Sequence, residues 1–296
     1  MLKCNDDHGC RAGVVPTDER GGGPQPVASA RVRRMINRRL KNGARMCTNY
    51  VATQRSRYAA HFAIDPPAAD WPPEIYRDYA APFIRRSADG GRESLMGTFG
   101  IRPRSRIKGH DFDTMNARSE TVGEKVNFKD SWLNCRLALL PADVVFEPRY
   151  PAMQDLDVPN RADVINAVLK QKSERWGIRV ASDEPFAVAG LWRRWPEPDG
   201  GETFGLSMLT VNADEHPVLR QFHRHLNDDG TFKEKRGVVI LRPDQYDDWL
   251  NCDDSEVART FLTLLPADGY TVAPAPKPAK VKTAKESTPP SSGTLF

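Results

Sequence analysis

"CRLALLPADVVFEP", residues 135–148, decides how the rest of the chain is read. The run is rich in Leu, Val and Phe, is bounded by Pro148, and carries a carboxylate, Glu147, at its closing end. Short apolar runs between turn residues read as strands. Four others share this character: "SLMGTFGIR", "PFAVAGLW", "FGLSMLTV" and "RGVVIL". Among them stand segments with helical spacing. "TQRSRYAAHFAI" is one, "RADVINAVLKQKSERWG" opens on an Asp cap and runs to Gly177, and "RPDQYDDWL" reads as an amphipathic helix starting just after Pro243. The alternation is irregular, with no Gly-rich phosphate loop and no βαβ repeat. The expectation is an α+β fold, a curved mixed sheet or open barrel flanked by helices, rather than a doubly wound sheet.

Working outward, 296 residues with 39% hydrophobic and 28% charged side chains are enough to bury a large core. Residues 1–45 hold "GGGPQP" and "RVRRMINRRLKNGAR", too poor in apolar surface to pack, and read as a disordered basic leader. The expected domain is 46–267, and 268–296 is a Pro/Lys/Ser-rich tail expected to be disordered. The formal charge is +4 overall, but the leader carries +6 and residues 271–296 carry +3, which leaves the body at −5. A nucleic-acid site in the body is therefore a local patch. Candidates are Arg85 and Arg86, and the run of Arg102, Arg104, Arg106 and Lys108. Cys4, Cys10, Cys47, Cys135 and Cys252 form no CxxC pair, so reduced thiols are expected, with no metal site and no disulfide framework. No apolar run approaches the ~20 residues of a membrane span, and residues 1–45 lack the apolar core of a signal peptide. A cytoplasmic protein is expected.

Singly, the reactive residues say little. Cys47 in "ARMCTNY" reads as a buried small side chain or a nucleophile. Glu147 reads as a carboxylate at a strand's exit to water or a functional acid. Asn116 and Arg118 in "MNARSET" suit a turn or a phosphate clamp. His216, His223 and His225 lack the Cys or acidic partners of a metal site and read as loop histidines.

Their order along the chain is more specific. Met-Cys with an Asn-Tyr pair, then "NARSET", "CRLALLPADVVFEP", "PFAVAGLW", "LTVNADEHP" and a His ahead of "KRGVVIL" resembles the SOS-response-associated peptidase (SRAP) family, the abasic-site shield proteins, from about Met46 to Ala267. The resemblance implies that Cys47, exposed once Met46 is removed by self-cleavage, crosslinks covalently to abasic sites in single-stranded DNA during the DNA-damage response. The activity would combine a cysteine autopeptidase with lyase-like crosslinking. The α-amine of an N-terminal cysteine, with an ordinary pKa of about 7.7–8.0, attacks the aldehyde of the opened sugar to give an imine. The thiol of the same residue then closes a five-membered thiazolidine, an intramolecular step favoured by the held geometry.

By the same resemblance, Glu147 is the general acid/base, Asn116 holds the N-terminal residue, Arg118 grips the phosphate beside the lesion, and His223, with His225 as its rival, assists sugar opening. Two features depart from the family's pattern. Thr48 and Asn49 stand where Gly-Arg is common, so Arg102 or Arg106 is expected to supply the missing phosphate contact. Phe99 stands where a Trp is common, either as a smaller stacking platform for a base or as a buried strand residue. The 45-residue leader would block the amine, so either translation starts at Met46, the favoured reading, or the chain is cut between Met46 and Cys47. No cofactor is implied. The expected partner is single-stranded DNA containing abasic sites, bound by a monomer with no membrane involvement. Competing readings are a non-covalent single-strand binder indifferent to Cys47→Ala, and a cysteine peptidase acting on other proteins.

Overall fold

A computed structural model describes residues 49–109, 111–149, 173–222 and 234–277. Its spine is the opening stretch itself, a 13-residue strand β6 (Leu137–Arg149), buried from Leu137 to Glu147. The run is apolar without alternation because both of its faces are covered. Ala138, Leu140 and Ala142 join one core cluster with Phe83, Val188, Leu206 and Met208. Leu137 and Leu139 join a second with Tyr58, Phe62, Trp132 and Trp249. These last four come from α1 (Arg55–Phe62), α2 (Lys129–Leu133) and α3 (Tyr246–Asn251), so the second cluster lies between sheet and helices.

Five strands close a ring around the first cluster. β3 (Ala80–Arg86) pairs with β4 (Arg92–Phe99), and β4 pairs in parallel with β9 (Glu202–Asn212). β9 then pairs with β8 (Phe186–Pro196), β8 with β6, and β6 back with β3. Two glycines permit the closure. A Cβ on Gly205 would stand 2.2 Å from the Ile101 carbonyl oxygen, and one on Gly190 would stand 1.9 Å from the Leu140 side chain.

β6 and β9 are both antiparallel to β8, so they run the same way, and their C-terminal halves overhang one rim of the ring. Beyond the rim, β6 pairs with β1 (Asn49–Ala52) and β7 (Glu174–Val180). β9 pairs there with β5 (Asn116–Arg118) and β10 (Arg236–Val238). β2 (Glu74–Tyr76), β11 (Ile240–Leu241) and β12 (Tyr270–Pro274) extend the sheet from β1, β8 and β7.

The α+β expectation holds, and the five quoted runs are strands. α1 and α3 form where helical spacing placed them, α3 following a single turn at Pro243–Gln245. Two expectations are corrected. The helix drawn to Gly177 lies outside the described residues over 161–172, and Glu174–Val180 is a strand that completes the sheet beside β6. The domain edge drawn at Ala267 is too early, because Tyr270–Pro274 pairs residue for residue with β7 and buries Tyr270. Next to the patch candidates Arg85 and Arg86, Phe83 and Ile84 are core residues of β3. No helix among the described residues is long and apolar enough to cross a membrane.

Candidate functional site

The overhanging rim collects the polar residues of the sequence motifs. Glu147 lies near the end of β6, but not at an exit to water: it is 4% exposed and accepts a hydrogen bond from the Lys235 ammonium at 3.0 Å. β7 covers it on one side, with Trp176 directly opposite in register, and Phe222 bridges to Arg149 just beyond it. Such a buried charge is retained only when it is paired.

β1 is antiparallel to β6, with Tyr50 opposite Val145, so the chain enters β1 at the end of β6 that carries Glu147. That entry is pinned. The Asn49 amide donates to the Glu74 carboxylate, which also accepts from Arg175, and the Arg175 guanidinium lies over the Phe146 ring. Cys47 and Thr48, immediately upstream, lie outside the described residues, as do His223 and His225.

Asn116 and Arg118 form strand rather than turn. β5 runs parallel to β9, which places Asn116, 7% exposed, opposite Met208 and carries Arg118 out to the same rim. The Arg118 side chain is half exposed and donates to Glu234 at 3.0 Å. Glu234 also accepts from Asn212 at 2.9 Å and from Arg236 at 2.5 Å. Arg236 in turn makes a two-pronged contact with Glu120, at 2.9 and 2.8 Å. Arg118, Glu234, Arg236 and Glu120 thus alternate in charge along the rim. Lys235, between two members of that row, turns instead to Glu147, as neighbouring residues of an extended chain point opposite ways.

The structure does not bring the remaining candidates to this rim. Phe99 is 1% exposed and packs edge-on against Tyr50, with ring centroids 5.3 Å apart, so the stacking role is corrected to a core role. Arg102 and Arg106 lie against Trp195, 5.6 and 5.2 Å from its ring, and Arg106 is also paired with Glu197. Trp195 pairs with Thr203, at the far end of β9 from Asn212. At about 3.3 Å per residue the two ends are ~30 Å apart. The phosphate contact expected of Arg102 or Arg106 is therefore absent from this rim. Arg85 is occupied by Glu93 and by the Trp192 ring, at the other end of the barrel. His216 is structural: its Nδ1 accepts from the Val218 and Leu219 amides, and its Nε2 is 2.9 Å from the Leu265 carbonyl oxygen. Among the described residues no cluster of His, Cys, Asp or Glu is arranged to hold a metal ion.

Sequence reading missed Lys235, Glu234 and Trp176. The two ionised residues stand just before a buried strand, where charge ordinarily marks a solvated loop end. Trp176 was hidden by the helical reading of its segment. It is half-buried in register with Glu147, and the Arg149 guanidinium lies 4.3 Å from its ring.

A family model described as "SOS response associated peptidase (SRAP)" matches residues 46–281. Among curated proteins, the chain is 24% identical over 157 residues to "Abasic site processing protein YoqW" of Bacillus subtilis and 26% identical over 157 residues to "Abasic site processing protein YoaM" of the same organism. Each alignment covers 53% of this chain and 56% of the relative, so the chain spans little more than half the length of the curated relatives it matches. Among solved structures, a protein from Bordetella bronchiseptica is similar at 30% identity and a TM-score of 0.62, over 77% of this chain and 99% of that one. A protein from Bacteroides thetaiotaomicron shares the fold at 17% identity and a TM-score of 0.55, over 78% of this chain and 93% of its own.

Proposed function

Because the chain belongs to the SOS response associated peptidase family, we propose that it processes abasic sites in DNA by a covalent crosslink from Cys47 in the single-stranded form. The observation that carries this reading is the convergence at one rim of Glu147, Asn116, Arg118 and the start of β1, two residues after Cys47. Support also comes from the family match, which begins at Met46, and from the names of the Bacillus relatives. The domain is 46 onward through β12, and the leader must leave before the cysteine amine can react.

In the proposed chemistry the Glu147 carboxylate takes a proton from the Cys47 α-ammonium. The freed amine adds to the aldehyde carbon, and the extra proton on nitrogen passes to the carbonyl oxygen, giving the hydroxyl of a carbinolamine. Protonated Glu147 returns its proton to that hydroxyl, which leaves as water while the nitrogen lone pair forms the iminium. The carboxylate then takes the thiol proton, and sulfur adds to the iminium carbon to close the ring. One water is lost overall, and Glu147, left holding the thiol proton, releases it to solvent and is regenerated. Arg118 holds the adjoining phosphate by displacing Glu234 from its guanidinium, Asn116 orients the cysteine, and His223 assists sugar opening. Self-cleavage after Met46 would draw on the same cysteine, carboxylate and histidine. The acting unit is a monomer on single-stranded DNA.

Intact mass spectrometry of the full chain, before and after incubation with a single-stranded oligonucleotide carrying one abasic site, tests this. The expected product starts at Cys47 and carries the oligonucleotide's mass less one water, and Cys47→Ala forms none. A product that persists in Cys47→Ala, or no product from a chain already beginning at Cys47, overturns the reading.

A further inference from the structure

We propose that Lys235 is the positioning residue of this site, its ammonium holding the Glu147 carboxylate ionised and in place so that it begins the reaction as a base. The inference deepens the reading above and rests on it for the reaction, but not for the ion pair. Both side chains are 4% exposed, and the Nζ to Oε1 distance is 3.0 Å. Lys235 is itself fixed: its amide donates to Asp214 Oδ1 at 2.8 Å, and its carbonyl accepts from the Ala213 amide at 2.8 Å. Its side chain therefore reaches Glu147 from a backbone anchored on both sides.

The other charged groups on the surrounding elements have contacts of their own. Arg175 of β7 engages Glu74 of β2, and Glu174 of β7 accepts from the Trp176 indole. Glu234 and Arg118 hold each other, Asp214 accepts from Asn212 as well as from Lys235, and Arg149 lies over Trp176. Lys235 is a cation in direct contact with the Glu147 carboxylate. A carboxylate buried without such a partner takes up a proton and is no longer a base. Lys235 transfers no proton in the proposed steps and acts through Glu147.

The test measures crosslinking rate against pH for the full chain, as wild type, Lys235→Met, Glu147→Gln and the double variant. Lys235→Met is expected to slow the reaction at least tenfold at pH 6, to regain most of the rate by pH 9, and to move the midpoint of the acid limb up by a unit or more. In the Glu147→Gln background the same change is expected to cost less than twofold, because the two residues act as one unit. Lys235→Gln, which keeps a hydrogen bond but not the charge, serves if the Met variant does not fold. A slowing that is equal at every pH, or equal in both backgrounds, leaves the pair a purely structural bond and overturns the proposal. Carbon-13 NMR of the Glu147 carboxyl, assigned with Glu147→Gln, reads the pair without the reaction: its titration is expected to move to higher pH in Lys235→Met and Lys235→Gln. An unmoved titration sinks the Lys235 inference even if wild type crosslinks. A moved one with no crosslink from wild type leaves the ion pair standing and removes the abasic-site reading.

Discussion

At the scale of single residues, the rim is built on ion pairs. Arg118 is half exposed and pairs with Glu234, the contact that a phosphate would replace under the proposed function. Arg118→Ala is expected to weaken binding of abasic single strands and to lower the slope of log affinity against log salt by about 0.7, the value for one phosphate contact on a single strand. Fluorescence anisotropy across a salt series reads both. Glu234→Gln frees the guanidinium and is expected to tighten binding by roughly threefold at low salt, a gain that fades at high salt because exposed charges are screened. Loss of affinity in that variant would mean that Glu234 serves mainly to order Arg236 and Asn212. Glu147, Asn116 and Arg118 were legible because each sits in a motif whose order is specific. Phe99 stood between two readings because the same aromatic suits a base or a core, and its contact with Tyr50 decides for the core.

At the scale of elements, the ring depends on close backbone approaches that no larger residue allows. Gly205→Ala places a methyl against the Ile101 carbonyl, a backbone atom that cannot swing aside. It is expected to cost at least about 2 kcal/mol, as overpacking of an interior does, read as a lower urea midpoint with an unchanged slope. The short helix α4 (Ser255–Arg259) starts on Asp254, whose carboxylate accepts from the Glu256 and Val257 amides at 2.7 and 3.3 Å. Asp254→Ala is expected to cost about 1 kcal/mol, measured the same way. β7 escaped the sequence reading because "SERWG" continues a helical spacing from upstream, and its strand identity comes from partners on both sides, β6 and β12. Pairing with distant segments overrides local preference in such cases.

At the scale of the molecule, β12 is the far edge of the sheet that buries Glu147, linked to it through β7. Ending the chain at Ala267 removes its five paired residues and exposes the pocket of Tyr270. The expected loss is about 3 kcal/mol, or roughly 6–12 °C in Tm by calorimetry, whereas a chain ending at Lys277 should melt like the full chain. Equal melting of all three would mean that β12 adds nothing to the body. The sequence by itself determined the α+β class, the long buried strand and the identity of the motif residues, because composition, spacing and motif order are local properties of the chain. Only the tertiary structure decided which of those residues meet. Ring closure makes β6 and β9 run together past one rim, bringing Glu147, Asn116 and Arg118 there with Lys235, while Arg102 and Arg106 are left at the far end of β9. Such contacts depend on strand direction and register between segments a hundred residues apart, and no local pattern encodes them.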